Sequence, residues 1–294
     1  MRYKVGLPKL REFAERIPRY FRNWNLRIGF TVFSSIVLMA TIGPFLIPYN
    51  PVRFGTFKPN LPPDSTHLLG TDSFGRDVLA QMIIGTNQSL QIAITAALIG
   101  TFVGMVLGFM AGYYGGFIDA ILRSITDIWL VIPMLPMLIL IASMARRTEI
   151  WVMSLVLSLF SWAWPARQVR GQTLSLKNRE FIYMAKLSGM GNTEIIFTEI
   201  VPHMLGWILT VLTSAVLWAM MAESGLEILG LGPQHTITLG MMLYWSNLYA
   251  SIFRGLWWWW SPTIVMLILI FTSLYIMHIG VTEIVNPRAK KEGR

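Results

Sequence analysis

The sequence predicts an all-α membrane protein of six transmembrane helices, with both termini on the cytoplasmic side. Three observations carry that expectation. Only 13% of the 294 residues are charged while 54% are hydrophobic, against about 25% charged in an ordinary soluble domain. Stretches 28–52, 78–118, 128–145, 150–166, 200–222 and 255–282 lack Asp, Glu, Lys and Arg, and each is long enough, or nearly so, to cross about 30 Å of hydrocarbon as a helix. Basic residues gather at the two ends, eight between Arg2 and Arg27 and four between Arg288 and Arg294, as cytoplasmic segments do.

The same arithmetic excludes a soluble enzyme, a disordered chain and a nucleic-acid binder. With no cysteine, disulfides, thiolate metal sites and cysteine nucleophiles are also excluded. Backbone groups left unpaired in lipid are costly, so the apolar runs must be helices, and their alternation is too poor for barrel strands.

Residues 1–27 read as a cytoplasmic leader. Leu10, Phe13, Ala14, Ile17, Tyr20, Phe21 and Trp24 recur at helical spacing opposite Lys9, Arg11, Arg16, Arg19 and Arg22, the pattern of a basic amphipathic helix on an anionic leaflet. A solvated basic leader is the plainer alternative. The basic region is too long for a cleavable signal, and no small-residue cleavage site follows. The first span is placed at 28–48 and an outer loop at 49–89.

The stretch 78–118 is too long for one span and polar early, at Gln81, Asn87, Gln88 and Gln91, so the second span is placed at about 90–111. Gly100, Gly104, Gly108 and Gly112 stand four apart along it. Such a stripe lets helices approach closely, either as a pivot or subunit contact or as packing within the chain. Gly115-Gly116 makes a cytoplasmic turn. At the inner end of the third span Asp119, Arg123 and Asp127 form an (i, i+4) ladder of alternating sign, which neutralises itself or else marks a proton or ion path. Pro133, Pro136, Pro165 and Pro262 interrupt helices, as membrane bundles tolerate.

Between the fourth and fifth spans lies a cytoplasmic stretch, 176–195, that reads as a short amphipathic helix ending at a left-handed Gly189, then a second helical start at Asn192. Pro202 leads into the fifth span. This exposed knob suits docking into a groove on a cytoplasmic partner. The run 228–253 holds Gly230, Gly232, Pro233, Gln234, His235 and Gly240, too many breakers for a lipid-facing helix. An outer re-entrant segment over 223–256 fits better, and an even span count keeps both ends inside. Six spans leave six of the 24 basic residues outside, with Arg146-Arg147 the local violation. Trp257-Trp258-Trp259-Trp260 opens the sixth span as an aromatic belt. Residues 289–294 form a basic tail, and 90–288 hold the remaining five spans.

The loop pattern resembles the permease subunits of binding-protein-dependent ABC importers. Their loop signature is Glu-Ala-Ala, three residues, Gly, then about nine residues to an Ile and a Leu-Pro. Ala185, Gly189 and Val201-Pro202 match it, while Tyr183 and Met184 replace the glutamate and first alanine. The block Leu69-Gly70-Thr71-Asp72-Ser73-Phe74-Gly75-Arg76-Asp77-Val78-Leu79 resembles the outer-loop block of the dipeptide, oligopeptide and nickel permease subfamily. Glu223 with Leu226-Glu227-Ile228-Leu229-Gly230-Leu231-Gly232 resembles its Leu-Ser-Phe-Leu-Gly-Leu-Gly block, and Asn286-Pro287-Arg288 its terminal Asp-Pro-Arg. The resemblance spans 69–288, and the long loop after the first span suggests the second of two paired permeases.

The resemblance implies a type I-like bundle in the prokaryotic cytoplasmic membrane that moves short peptides or oligosaccharides by alternating access. Its implied partners are a second homologous permease, two ATP-binding subunits and an extracytoplasmic solute-binding protein. No Gly-x-x-x-x-Gly-Lys-Ser/Thr is present, so the chain is not expected to be an enzyme; ATP and Mg²⁺ belong to the partners, and neither a metal nor a catalytic residue is expected here. Glu180, Phe181, Ala185, Lys186, Gly189, Asn192 and Pro202 are the ATPase-coupling candidates. Asp72, Arg76, Asp77, Glu223 and Glu227 are candidates for an outer loop or gate. Thr71 or Asp72 is expected to cap the helix after the loop, with Asp72 and Arg76 one turn apart. For these blocks, bracing and loop hydrogen bonding compete with solute contact. Two rivals remain. A stand-alone transporter or channel calls for ionisable groups deep in the spans, where only His278 lies. An intramembrane enzyme or metal site calls for His67 and His235 to meet.

Overall fold

In the computed structural model the described residues are 23–144 and 149–285. The leader up to residue 22, the Arg146-Arg147 pair, the Asn286-Pro287-Arg288 block and the tail lie outside them. The described chain is helical, and its one β-bridge, Thr71 to Asp77, sits in the outer loop.

Helix α1, Trp24–Ile42, begins where the Asn23 side chain accepts from Leu26 N at 3.1 Å and ends in a 3₁₀ turn, Gly43–Leu46. It packs on the last helix, α11, Trp257–Val285. Two glycines permit this. A Cβ on Gly29 would stand 2.6 Å from Met277 N, and one on Gly280 would strike Leu26. Asn23 and Asn25 donate to Glu283 at 2.6 and 3.1 Å, tying the same ends together.

Helix α2, Val78–Tyr114, is one unbroken rod of 37 residues, about 55 Å at 1.5 Å per residue. The helix begins well before the span expected at about 90–111, which lies inside it, and the outer loop expected to run to residue 89 ends at Asp77. Three of the four polar residues that argued against a span here are satisfied by neighbours, while Gln88 keeps a buried Oε1 with no partner. Gln81 Nε2 donates to Asp72 at 3.0 Å, Asn87 Nδ2 to Ala40 O at 2.9 Å, and Gln91 Nε2 to Asn87 at 2.5 Å. Nor do Thr71 and Asp72 cap it. Asp77 does, accepting from Ala80 N at 2.9 Å.

Gly115 and Gly116, at φ +70° and +55°, turn the chain into α3, Gly116–Val131. The predicted third span breaks at Ile132-Pro133, and α4, Met134–Met144, departs at 82°. Pro133 lacks the N–H the helix needs, and Ile132 is pushed into extended geometry, ψ 126°. The fourth span is also divided: α5, Ile150–Ser161, gives way at Trp162 to α6, Ala163–Lys177.

Two short helices follow, α7, Glu180–Leu187, and α8, Asn192–Ile195. A π-turn over Ile196–Ile200 joins α8 to α9, Val201–Ile228. Pro202 supplies the reason, since its ring and missing N–H disturb the preceding turn and the wider π geometry absorbs the misfit. Helix α9 ends at Gly230, φ +85°, with Gly230 N donating to Glu227 O at 2.8 Å and Leu231 N to Leu226 O at 3.2 Å, a Schellman cap. The outer segment then holds α10, Leu239–Leu248, capped by Thr238.

By length and composition α1 with its 3₁₀ turn, α2, the run Asn192–Ile228 and α11 qualify as membrane crossings, and the bent α3–α4 pair makes five. Helix α5, with 12 residues, is short for a crossing by itself. The main apolar core lies among α2, α5, α9, α10 and α11; a second gathers Phe109, Tyr113 and Val169 against Ile182, Ile195 and Ile200 of the loop region. Outward, Phe102, Val131, Leu155 and Ile268 are all more than half exposed. Such a large apolar surface demands lipid or protein cover.

Candidate functional site

The knob between α6 and α9 is built on the second core. Ile182 and Ala185 of α7 are buried in it, while Tyr183, Met184 and Leu187 point away, Leu187 82% exposed. Gly189 ends the helix at φ +80° as the sequence predicts. Met190 N donates to Ala185 O at 3.2 Å and Gly189 N to Lys186 O at 3.0 Å, again a Schellman cap. Glu180 is the exposed first residue of α7. The half-buried Phe181 stacks on His203, ring centroids 4.5 Å apart at 18°. Asn192 accepts from Tyr113 Oη at 3.1 Å, and Lys186 Nζ lies 5.8 Å from the Tyr113 ring centre. Pro202 stands in the first turn of α9. Six coupling candidates thus fall on or beside one knob, with Pro202 at the base of the next helix. Tyr113 and His203, which hold the knob at the ends of α2 and α9, were not singled out from sequence; nothing local links residue 113 to residue 192.

At the opposite end the Thr71–Asp77 block folds on itself. Asp72 is fully buried and accepts from Phe74 N and Arg76 N, each at 2.9 Å, and from Arg76 Nε at 2.7 Å. The Asp72–Arg76 pair is therefore a loop clasp, not a helical (i, i+4) pair as expected. The Arg76 guanidinium lies 4.7 and 5.2 Å from the Phe74 and Phe54 ring centres. Asp77 also meets His67 Nδ1 at 2.9 Å. Phe74 packs edge-on against Trp245, Tyr249 and Trp259, and Trp258 Nε1 donates to Thr71 O at 3.2 Å. Two of the four consecutive tryptophans thus fasten the outer loop rather than form a belt; Trp259 is fully buried.

Glu223 and Glu227 of α9 are both fully buried, beneath the outer segment. Glu227 accepts from Thr238 Oγ1 at 2.5 Å and Glu223 from Ser224 Oγ at 3.0 Å. Gly240 presses so closely that a Cβ there would stand 2.6 Å from Glu227 Cβ. The structure therefore sets both glutamates against their own chain.

Gly100, Gly104, Gly108 and Gly112 all face the α5–α6 junction and α6. A Cβ on Gly104 would meet Trp162 O at 2.5 Å, and one on Gly108 or Gly112 would meet Val169 or Thr173 at 2.7 Å; Gly100 abuts Ser161. The expected self-neutralising ladder is corrected. Asp119 pairs across to α6, accepting from Arg170 Nη2 at 2.7 Å and from Nε, while Arg123 and Asp127 stand 3.9 Å apart and mostly exposed. His67 is occupied by Asp77 and His235 is exposed. Among the described residues no group of three His, Asp or Glu is placed to hold a metal ion.

An apolar helical bundle with a packed knob at one end and a clasped loop at the other has the make-up of a multi-pass membrane protein. Comparison with known proteins gives the family. Residues 104–291 match the model for the binding-protein-dependent transport system inner membrane component, and 14–63 match the N-terminal TM domain of oligopeptide transport permease C. The dipeptide transport system permease protein DppC of Bacillus subtilis is 31% identical over 98% of this chain and 89% of its own length. The oligopeptide transport system permease protein OppC of Salmonella typhimurium is 38% identical over 75% of this chain and 73% of its own. OppC of Mycobacterium tuberculosis is 31% identical over 79% and 82%. The chain belongs to the family of binding-protein-dependent transport system inner membrane components and is a multi-pass inner membrane protein.

Proposed function

We propose that this chain is the second permease subunit of an ATP-driven peptide importer, working by alternating access. In this reading six spans are completed by α5 with the start of α6, and both termini are cytoplasmic. A second homologous permease forms the other half of the pathway. Two ATPase subunits hold ATP and Mg²⁺ and carry out the hydrolysis, and an extracytoplasmic solute-binding protein delivers the cargo. Peptides are preferred to oligosaccharides because the relatives above are named for dipeptide and oligopeptide transport.

The observation that carries the reading is the knob. Tyr183, Met184 and Leu187 are exposed on α7, whose buried side is anchored in a packed core shared with α2 and α9. A rigid element with an apolar outer face transmits a partner's movement to the helices it is packed on. ATP binding and hydrolysis then bias a bistable bundle, as such a switch requires. Leu187→Asp tests this in complexes reconstituted with the partner subunits. The fold is expected to survive, because Leu187 contributes little to the core, while peptide uptake and substrate-stimulated ATP hydrolysis fall at least tenfold. Coupling at the wild-type level would sink the assignment. Uptake of oligosaccharide but not peptide by the wild-type complex would remove the cargo while leaving the coupling role.

A further inference from the structure

Near the knob, between α2, α3 and α6, lies a pocket of about 240 Å³ that the transport reading leaves unused. Its lining includes Arg123, Arg167, Arg170 and Asp127, with Leu107 and Leu122 among the apolar residues. The charges are unevenly satisfied. Asp119 takes up the Arg170 fork. Arg123 has Asp127 only at 3.9 Å. Arg167, exposed, makes no ion pair among the described residues. Three arginines thus meet two carboxylates: among the described residues Arg167 has no counter-ion, and Arg123 is held only loosely by Asp127.

A second feature says what kind of anion. Along the first turns of α3 the charged residues Asp119, Arg123 and Asp127 share one face. Ile118, Ile121, Ile125 and Ile128 recur at helical spacing on another, 39%, 42%, 48% and 65% exposed, with Phe117 80% exposed beside them. An apolar face open to the surroundings beside an arginine-lined pocket is the arrangement of a helix at a membrane border. It offers acyl chains one surface and a headgroup another. The depth agrees: Gly108 and Ala111 line the pocket within about two turns of Tyr113, which holds the knob through Asn192.

We infer that this pocket binds the phosphate of an anionic phospholipid, with Arg123 and Arg167 as the phosphate contacts and the isoleucine face of α3 against the acyl chains. A guanidinium fork matches phosphate geometry better than an ammonium does, and basic pockets between helices at the cytoplasmic border suit such headgroups. The lipid would staple α3 to α6 beside the knob. The inference needs only the membrane setting and stands whether or not the cargo is peptide.

The test uses the full-length chain in a neutral detergent, its thermal unfolding followed with added phosphatidylglycerol, phosphatidylcholine or inorganic phosphate. Phosphatidylglycerol is expected to raise the midpoint by a few degrees, as a ligand of the folded state does, and the other two to leave it unchanged. The double variant Arg123→Gln/Arg167→Gln is expected to lose the response, and Arg53→Gln, in the outer loop, to keep it. If the double variant does not fold, the single exposed change Arg167→Gln supplies the same reading as a weakened response. An equal shift with phosphatidylcholine, or a full phosphatidylglycerol response in the arginine variants, overturns the site. A shift of the same size with inorganic phosphate overturns the lipid and leaves a free-anion pocket. Loss of ATPase assembly in the variants, with the lipid response intact, would assign the arginines to the partner.

Discussion

Asp72 shows how much one buried charge commits the molecule. It has no exposed surface, and its partner Arg76 is 6% exposed. Removing one member of such a pair leaves the other charged and without compensation, a loss of about 3–5 kcal/mol. Asp72→Ala is therefore expected to lower the thermal midpoint sharply and expose the outer loop to protease, whereas the double change Asp72→Asn/Arg76→Gln should recover part of the loss. Limited proteolysis of detergent-purified protein reads both. Asp64 gives a milder, pH-dependent case. Hydrogen bonds from the Thr66 hydroxyl and then from the His67 and Thr66 amides hold its carboxyl below the usual carboxylate range. A depressed folded-state value stabilises above the unfolded pKa of about 3.9 and the benefit is lost as pH falls through the folded one. Amide exchange at Thr66 and His67 should accordingly quicken relative to neighbouring amides below about pH 4, and Asp64→Asn should remove that pH step.

Among the elements, the contact between α2 and α6 depends most directly on residue size. The glycine stripe was visible in the sequence, and so was its physical meaning as a close approach. Its partner was not, because four glycines look alike whether they meet another subunit or the next span. The structure sets them against Ser161, Trp162, Val169 and Thr173. Gly108→Leu would force side-chain volume into a space where even a Cβ stands 2.7 Å from Val169, at a cost of roughly 1–3 kcal/mol or more. Gly171→Leu, on the open side of α6 where a Cβ meets nothing within 4 Å, should cost nothing in packing and stabilise by up to about 1 kcal/mol through helix propensity. Comparing the two unfolding midpoints separates packing from helix propensity. Gly189 is needed for its backbone rather than its size: at φ +80° with open space around it, a glycine is unstrained, but Gly189→Val is expected to cost about 1–2 kcal/mol through the backbone alone. It should loosen the cap of α7 without displacing a neighbour, seen as faster amide exchange at Met190.

Over the whole molecule the absence of cysteine makes topology directly measurable. Single cysteines at Phe253, 91% exposed beside the outer segment, and at Leu187, 82% exposed on the knob, should react with a membrane-impermeant maleimide from opposite sides of sealed vesicles. Labelling of both from one side would contradict the proposed orientation. The longest elements were readable because lipid imposes one strong rule, that the backbone satisfy itself, and charge-free runs reveal where it applies. Boundaries were harder. The helical run from Val78 to Ser89 was read as loop because Gln81, Asn87 and Gln91 look like loop residues until Asp72, Ala40 and a neighbouring turn supply their partners. The 82° break at Pro133 was signalled by the proline, but its angle depends on what α3 and α4 pack against.

The amino-acid order alone determined that this is a helical membrane protein, placed a knob at 176–195 with its left-handed Gly189, and set four glycines on one helical face. These are local properties, carried by composition, period and backbone preference. Which surfaces those features meet came from the folded chain: Asp119 on Arg170 instead of Arg123, Trp258 and Trp259 under the outer loop, Glu223 and Glu227 sealed beneath α10, and Arg167 lining a pocket with no carboxylate partner among the described residues. Such pairings join residues far apart in sequence. Their energies depend on distance and burial in three dimensions, which no spacing along the chain records.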